Sequence, residues 1–212
     1  MSKLIYQKPP LQNIQQLYTS FNSPICEIDC GEKCRGSNPN DLPFCCDITQ
    51  AVPALFDQEW DHLEKITDLW FLLNNPNGAD HLDIPDGMVL RQCLGHTKCQ
   101  RENRSLSCRQ FPFFPYVSSN YEFLGLAFEW DFKDKCWLID HADLVTVTYR
   151  QEFIECYDQI FIHYQDVFDN YQYHSELCRE HYQQRGENFL VLHRNGKNYL
   201  IDPATEKKQR QP

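Results

Sequence analysis

Cysteine is the residue type in this chain best suited to chemistry, with eleven copies among 212 residues. Most of these cysteines lie in stretches rich in Gly, Pro, Asn and Asp, which is loop composition. Loops from distant parts of a chain can converge, and converging thiolates are the ligands of zinc sites and iron–sulfur clusters. The first group is Cys26, Cys30, Cys34, Cys45 and Cys46, and the second is Cys93, Cys99 and Cys108, with Cys136 further along.

The compartment that the sequence predicts favours metal over disulfides. The N-terminal residues lack the apolar core of a secretory signal peptide, and no apolar run reaches the ~18 residues of a membrane span. We therefore expect a cytoplasmic protein, where disulfides are disfavoured and clustered thiols indicate metal binding or catalysis. A net charge of -10 argues against nucleic acid as the main partner. The expected partner is a metal ion or cluster, without nucleic acid or membrane, and no protein partner is predicted.

The adjacent pair Cys45 and Cys46 carries information about how many metals are bound. Side chains of consecutive extended residues point in opposite directions, so the pair is expected to serve two nearby metals, or one metal and the core. The four-residue spacing of Cys26, Cys30 and Cys34 would align them on a helix, but the nearby glycines and proline indicate an irregular loop instead.

The arrangement of these cysteines resembles a known family. The matching pieces are CGEKC, FCC, RQC, TKC and CRQFP, which contain the cysteines from Cys30 to Cys108. In this order they resemble the CxxCxxCC zinc- or iron-chelating domain, the YkgJ-like cysteine-cluster family, over roughly residues 26–140. The chain departs from the family pattern where residues 35–44 separate Cys34 from the double cysteine.

The resemblance implies a set of metal ligands. Eight thiolates could hold two ions, or one cluster with extra ligands, and Cys26 is left open as a further candidate. The implied ligands are Cys30, Cys34, Cys45, Cys46, Cys93, Cys99, Cys108 and Cys136.

The stretch CRQFPFFPY, residues 108–116, is then expected to organise the site. Arg109 would offset the negative charge of the thiolates or donate a hydrogen bond to a sulfur, so it is the predicted cofactor-binding residue. Pro112 and Pro115 favour extended backbone. The aromatic side chains are expected to cover the metal and exclude water, which shifts an iron–sulfur potential. They are Phe111, Phe113, Phe114 and Tyr116.

The remaining cysteines and histidines have simpler interpretations. Cys156 and Cys178 lie on predicted helices without partners, so they are expected to be buried as small hydrophobic residues. His96 lies between two candidate ligands and could replace one, although an exposed loop histidine is the simpler interpretation. His174 and His181 share a predicted helix face with Cys178 and are interpreted as helix surface.

The fold class predicted is α+β, a small single domain with a loop-borne cysteine cluster, two or three main helices, short strands and a C-terminal β-hairpin. Apolar periodicity predicts helices over 50–73, 143–171 and 175–184, the first ending at NNPNG. Strands are predicted over 87–93, 121–132 and CWLID, and Asn195-Gly196 predicts the hairpin turn. The expected divisions are an irregular lead-in (1–25), a metal-binding domain (26–140), a packed helical segment with the hairpin (141–203) and a disordered tail (204–212).

The sequence therefore predicts a metal-binding protein, with an iron–sulfur cluster slightly preferred over structural zinc. The resemblance also implies an alternative, because a similar domain occurs in flagellin lysine N-methylases; a cluster-dependent enzyme of that kind would need an open coordination position. A redox or electron-transfer protein is a third possibility. The sequence contains no Gly-rich phosphate loop, GxSxG or HExxH, so the common nucleotide-binding and hydrolase classes lack support.

Overall fold

The computed structural model describes residues 11–73 and 87–211, in which helices combine with antiparallel sheets in a mixed α+β architecture. The helices are α1 (Leu11–Ser20), α2 (Cys30–Arg35), α3 (Asp57–Ile66), α4 (Leu106–Gln110), α5 (Val147–His163) and α6 (Gln165–Arg185). The strands are β1 (Ala54–Phe56), β2 (Trp70–Leu72), β3 (Met88–Cys93), β4 (Phe113–Val117), β5 (Phe123–Phe128), β6 (Phe189–His193), β7 (Asn198–Ile201) and β8 (Lys208–Arg210). The start of the predicted lead-in and the NNPNG stop lie outside the described residues.

The chain divides into two compact units, whereas its length predicted a single domain. The first unit comprises Met1–Asn22, Ile28–Phe111 and Lys135–Trp137, and the second comprises Ser23–Glu27, Pro112–Asp134 and Leu138–Pro212. The main boundary falls between Phe111 and Pro112, inside the CRQFPFFPY stretch, rather than near residue 140. The reason is that the aromatic half of this stretch is a strand with a core of its own.

Helices α1 and α3 pack together in the first unit. Ile14, Leu17, Tyr18 and Phe21 are buried at the three- and four-residue steps that place side chains on one helix face. In α3 the acidic residues Asp57 and Glu59 stand in the first turn and Lys65 in the last, which suits the helix dipole.

A three-stranded antiparallel sheet in the order β1-β3-β2 completes the frame of the first unit. Leu55 pairs with Val89 on one side of β3, and Trp70 pairs with Cys93 on the other. This sheet corrects the helix predicted over 50–73, of which only Asp57–Ile66 is helical. Apolar residues continue at helical steps through both flanking strands, but pairing with β3 takes up the backbone groups of those strands.

The second unit is built on a five-stranded antiparallel sheet in the order β4-β5-β6-β7-β8. Helix α6 packs on β4 and helix α5 on β5. Their core is a cluster of buried side chains that includes Phe114, Tyr116, Cys178 and Val191. Leu190 pairs with Leu200 across the turn that contains Gly196, whose φ of 81° suits glycine.

Three predictions for the second half of the chain need correction. The two helices predicted over 143–171 and 175–184 meet instead at Tyr164, whose φ and ψ of -133° and 88° are not helical. CWLID does not form a strand, because Trp137–Leu144 is a run of 3₁₀ helix. The tail over 204–212 contains β8, paired antiparallel with β7. Glu206 orders it by accepting hydrogen bonds from Tyr116 at 2.6 Å and Arg179 at 3.3 Å.

Between residues 11 and 211, leaving aside 74–86, the chain contains no helix with the length and apolar character needed to cross a membrane.

Among the described glycines, Gly125 in β5 is the one where a side chain has the least room. Its φ is 143°, and an added Cβ would lie 2.3 Å from the Leu192 carbonyl oxygen. We expect Gly125→Ala to lower the free energy of unfolding by about 3 kcal/mol, through backbone strain and overpacking. Gly36→Ala is the matched control, because φ there is -64° and no atom lies within 4 Å of the new Cβ. Urea unfolding followed by circular dichroism measures both, and equal midpoints would contradict the strain at Gly125.

Candidate functional site

A cavity of about 430 Å³ in the first unit is lined by five of the cysteines. They are Cys45, Cys46, Cys93, Cys99 and Cys108. The two sequence groups therefore meet: the double cysteine of the first group shares this cavity with all three cysteines of the second group.

Each cysteine reaches the cavity from a different local structure. The double cysteine lies in the 3₁₀ turn Phe44–Cys46, which follows Pro43. Cys93 is the last residue of β3, and Cys99 directly follows the 3₁₀ turn His96–Lys98. Cys108 lies in α4, where its backbone N–H donates to the Ser105 hydroxyl that begins the helix. Short turns and helix starts thus hold these side chains, as loop-borne ligands require.

The structure overturns the expectation that Cys45 and Cys46 point in opposite directions. Their Sγ atoms lie 3.9 Å apart, because the backbone is a tight 3₁₀ turn and not an extended strand. The hydrogen bond between the two thiols raises the pKa of Cys45 and lowers the pKa of Cys46. Cys46 is therefore the more readily ionised sulfur of the pair.

The other cavity sulfurs interact electrostatically with this pair and with one another. Loss of hydration, with a smaller contribution from negative charge on Cys93 and Cys46, raises the pKa of Cys108 to about 12, although the Ser105 hydrogen bond and Arg104 oppose the rise. Loss of hydration is also the main reason that the pKa of Cys93 is raised, with Cys46 and Cys99 contributing. These thiols therefore resist ionising together unless a cation compensates the charge.

Arg104 is the cation that lies among these sulfurs. Its Nε donates a hydrogen bond of 3.0 Å to Cys99 Sγ. Burial lowers the pKa of the Arg104 guanidinium, but this hydrogen bond and the charges of Cys99, Cys46 and Cys108 outweigh burial and raise it. Arg104 was missed at the sequence level, although its place between Cys99 and Cys108 in a polar loop was a usable signal.

Arg109 has a different position from the one expected of it. Its guanidinium is buried, donates to the carbonyl oxygens of Tyr18, Phe21 and Glu102, and packs over the Tyr18 ring at 4.4 Å. Its Nε also donates to the Arg104 carbonyl oxygen at 3.0 Å. Arg109 therefore joins the end of α1 to the loop that carries Arg104, and it acts on the sulfurs through that backbone.

Three of the aromatic residues expected to cover the metal belong instead to the second unit. Phe113, Phe114 and Tyr116 are fully buried in β4, where Phe113 packs on Phe128 with ring centroids 4.3 Å apart. The apolar side chains that do line the cavity are Leu42, Ile48, Ala51, Pro53, Leu69, Trp70 and Leu94. The cover of the sulfurs thus comes from the first unit.

Two further cysteines of the first group lie near the double cysteine. Cys30 and Cys34 are on α2, and their charges contribute to the raised pKa of Cys45. The irregular loop expected here is wrong for these residues, because Asp29 caps a short helix by accepting hydrogen bonds from the N–H groups of Gly31 and the residue after it.

The remaining cysteines lie elsewhere. Cys136 belongs to the first unit but does not line the cavity, and Cys26 is buried in the second unit. Cys156 and Cys178 are fully buried on α5 and α6, as expected of small hydrophobic residues. Of the eight ligands that the resemblance implies, five line the cavity and Cys30 and Cys34 lie near it.

The cavity is not a preformed coordination polyhedron. Across residues 11–73 and 87–211, no three Cys, His, Asp or Glu side chains are already placed so that they could hold a metal ion. His96 lines the cavity half-buried, rather than lying on an exposed loop.

The buried carboxyl group of Glu59 holds the start of α4 in place through hydrogen bonds. Glu59 is fully buried, and its Oε1 accepts hydrogen bonds from the Tyr18 hydroxyl at 2.5 Å and the Leu106 N–H at 2.6 Å. Its Oε2 accepts from the Phe56 N–H at 3.1 Å. One side chain thus joins α1, the start of α3 and α4, which carries Cys108. Burial raises the pKa of Glu59 to about 7, although these hydrogen bonds oppose the rise.

No family model, curated protein or solved structure matches this chain. The resemblance to the cysteine-cluster family therefore stays a prediction.

We predict that Glu59 makes stability depend on pH. Since its pKa rises from 4.5 to about 7 on folding, the folded state binds more protons than the unfolded state within that interval. The free energy of unfolding should fall as pH rises through this window, by about 3 kcal/mol in total. Glu59→Gln should remove this fall, whereas Glu64→Gln, an exposed change on the same helix, should keep the wild-type profile. Urea midpoints from pH 4.5 to 8 measure the difference, and parallel profiles for the wild type and Glu59→Gln would contradict the assignment.

Proposed function

We propose that the first unit binds metal through the thiolates that line its cavity, as an iron–sulfur cluster in preference to zinc. The observation that carries the proposal is the meeting of five cysteines, from four separate short structures, in one cavity. The proposed principal ligands are Cys46, Cys93, Cys99 and Cys108. Negative charge on Cys46 raises the pKa of both Cys93 and Cys108, and negative charge on Cys99 raises the pKa of Cys93. Arg104 interacts with Cys46, Cys99 and Cys108.

The chemistry of the donor set fits a cation better than an ordinary core. A buried thiol normally lies among apolar side chains, whereas Cys99 accepts a charged hydrogen bond from Arg104. A metal would replace the protons of several thiols at once, and its charge would remove the mutual repulsion that raises the pKa of Cys93 and Cys108. Arg104 would compensate part of the negative charge left on the ligated sulfurs.

The number of thiols favours a cluster over a single zinc ion. One structural zinc ion takes four ligands, whereas five cysteines line the cavity. Two of them, Cys45 and Cys46, are adjacent, with Sγ atoms 3.9 Å apart, so the cavity offers more sulfur than one zinc ion needs. The resemblance to the YkgJ-like cysteine-cluster family, itself a proposal, supports thiolate binding of either zinc or iron.

Anaerobic purification tests the identity of the centre. We expect a coloured protein with visible sulfur-to-iron absorption, and iron and acid-labile sulfide in similar amounts. A colourless protein that contains zinc without sulfide would reject the cluster and leave a structural zinc site. A protein with neither metal, even after anaerobic reconstitution with iron and sulfide or with zinc, would reject the proposal as a whole.

A matched pair of cysteine substitutions tests the ligand assignment. Cys108→Ala should lower both the metal content per folded protein and the folded yield by about half or more, because metal binding and folding are linked. Cys178→Ala makes the same change at a fully buried cysteine in the second unit, and it should leave the metal content unchanged. Equal metal contents in both variants, measured by mass spectrometry of the eluted ions, would remove Cys108 from the site.

The metal content per protein shows whether the cysteines of the neighbouring helix α2 are also ligands. If Cys30 and Cys34 act with Cys45 as a second centre, Cys30→Ala should lower the metal content without abolishing the absorption of the first. If they do not ligate, the spectrum and the metal content of Cys30→Ala should equal those of the wild type.

A further inference from the structure

The cavity of the first unit contains more than its sulfurs. Its apolar wall includes Leu69, Ile48 and the ring of Trp70. The Trp70 indole N–H donates a hydrogen bond of 2.8 Å to the Asn103 carbonyl oxygen. A volume of about 430 Å³ falls within the range of sites for small organic molecules. The polar side chains of the wall therefore decide which small molecule fits.

Arg104 offers the strongest recognition group. Only its Nε is engaged, with Cys99, and its two terminal nitrogens donate no hydrogen bond to any residue within 11–73 or 87–211. The side chain is half-buried and lines the cavity. Two parallel N–H groups of a guanidinium match the two oxygens of a carboxylate, and such charge-assisted pairs are among the stronger hydrogen bonds in proteins.

Uncharged polar groups accompany Arg104 in the cavity wall. The Gln92 amide and the Thr97 hydroxyl make no hydrogen bond with another described residue. Gln92 is on β3, directly before Cys93, and is half-buried. These groups can donate to or accept from a bound molecule without losing a partner in the protein.

The charges around the cavity favour a ligand with one negative charge. Among the described residues that line it, Arg104 is the only Lys or Arg, and the lining also contains the Asp47 carboxylate, which already accepts hydrogen bonds from Asn38, Asn40 and Thr49. A doubly charged phosphate would therefore meet one guanidinium and one carboxylate, which suits it less well than a monocarboxylate.

We propose that this cavity binds a small monocarboxylate with an apolar body, its carboxylate on the terminal nitrogens of Arg104 and its body against Leu69 and Trp70. The site adjoins the cysteines but does not depend on which metal they hold. Arg104 thus faces two kinds of anion, a sulfur through Nε and a carboxylate through its other two nitrogens.

Hexanoate is the probe that tests the proposal, with hexanamide as the neutral match and inorganic phosphate as the second anion. Isothermal titration of the protein as purified should show hexanoate binding at least about tenfold more tightly than hexanamide, as expected for a charge-assisted pair. Equal affinities for the two, no hexanoate binding up to about 10 mM, or tighter binding of phosphate would each overturn the proposal.

Three variants locate the binding in the cavity. Arg104→Gln should reduce hexanoate affinity to that of hexanamide, whereas Lys98→Gln removes an exposed charge from the same loop and should change nothing. Ala51→Phe fills the cavity while keeping Arg104, and it should abolish binding of both probes, which keeps the test valid if Arg104→Gln does not fold.

The metal content of every sample separates this proposal from that of the metal centre. Hexanoate affinity unchanged in both Arg104→Gln and Ala51→Phe would overturn the carboxylate site, whatever the metal content. A wild-type protein that holds no metal but binds hexanoate would instead count against the thiolate centre alone.

Discussion

One guanidinium among several sulfurs is the constraint on which the first unit depends. Cys46, Cys99 and Cys108 each interact with Arg104. Burying negative charge without a compensating cation is costly, whereas a neighbouring guanidinium offsets part of that cost. The position of Arg104 therefore sets how much negative charge the sulfurs of the cavity can carry.

The position of Arg104 is set by two residues outside the group of cysteines, Arg109 and Glu59. Arg109 holds the Arg104 carbonyl oxygen and the end of α1 with one side chain. Glu59 holds the backbone of Leu106 and the hydroxyl of Tyr18 with one carboxyl group. Two buried ionisable side chains thus connect the helical frame to the loop between Cys99 and Cys108. The chemistry of the cavity rests on packing and hydrogen bonds several residues away from it.

Much of the site was predictable, because loop composition and cysteine count are legible in a sequence. Loop composition and the family resemblance predicted that the double cysteine would meet Cys93, Cys99 and Cys108, although Cys26, Cys30 and Cys34 of the same first group do not line the cavity. Which arginine faces the sulfurs was not predictable, because Arg104 lies in the loop before α4 and Arg109 lies on α4, and the sequence does not show which way each side chain turns. The 3₁₀ turn at Cys45 was equally hidden, since sequence cannot distinguish one tight turn from an extended pair.

The fold was predictable in class but not in its divisions. Apolar residues at three- and four-residue steps predicted a long helix, yet the same steps continue through β1, α3 and β2, where strand pairing with β3 overrides them. The aromatic run after Cys108 looked like a lid for the metal because its prolines excluded an ordinary helix. It is an edge strand that pairs with the nearby strand β5, whereas the rest of the sheet, from β6 onward, lies far along the chain.

That edge strand also bears on how the protein behaves at high concentration. An open sheet invites another chain to add a strand through unpaired backbone donors. In β4, Pro115 has no N–H to offer, and the Val117 N–H is already bonded to the Ser175 hydroxyl at 2.9 Å. At the opposite border, β8 presents the exposed cations Lys208 and Arg210, which repel a second copy of themselves. Both edge strands of the sheet thus discourage self-assembly into fibrils. The three exposed residues of β8 can therefore pair with β7 without offering an edge on which another chain would aggregate.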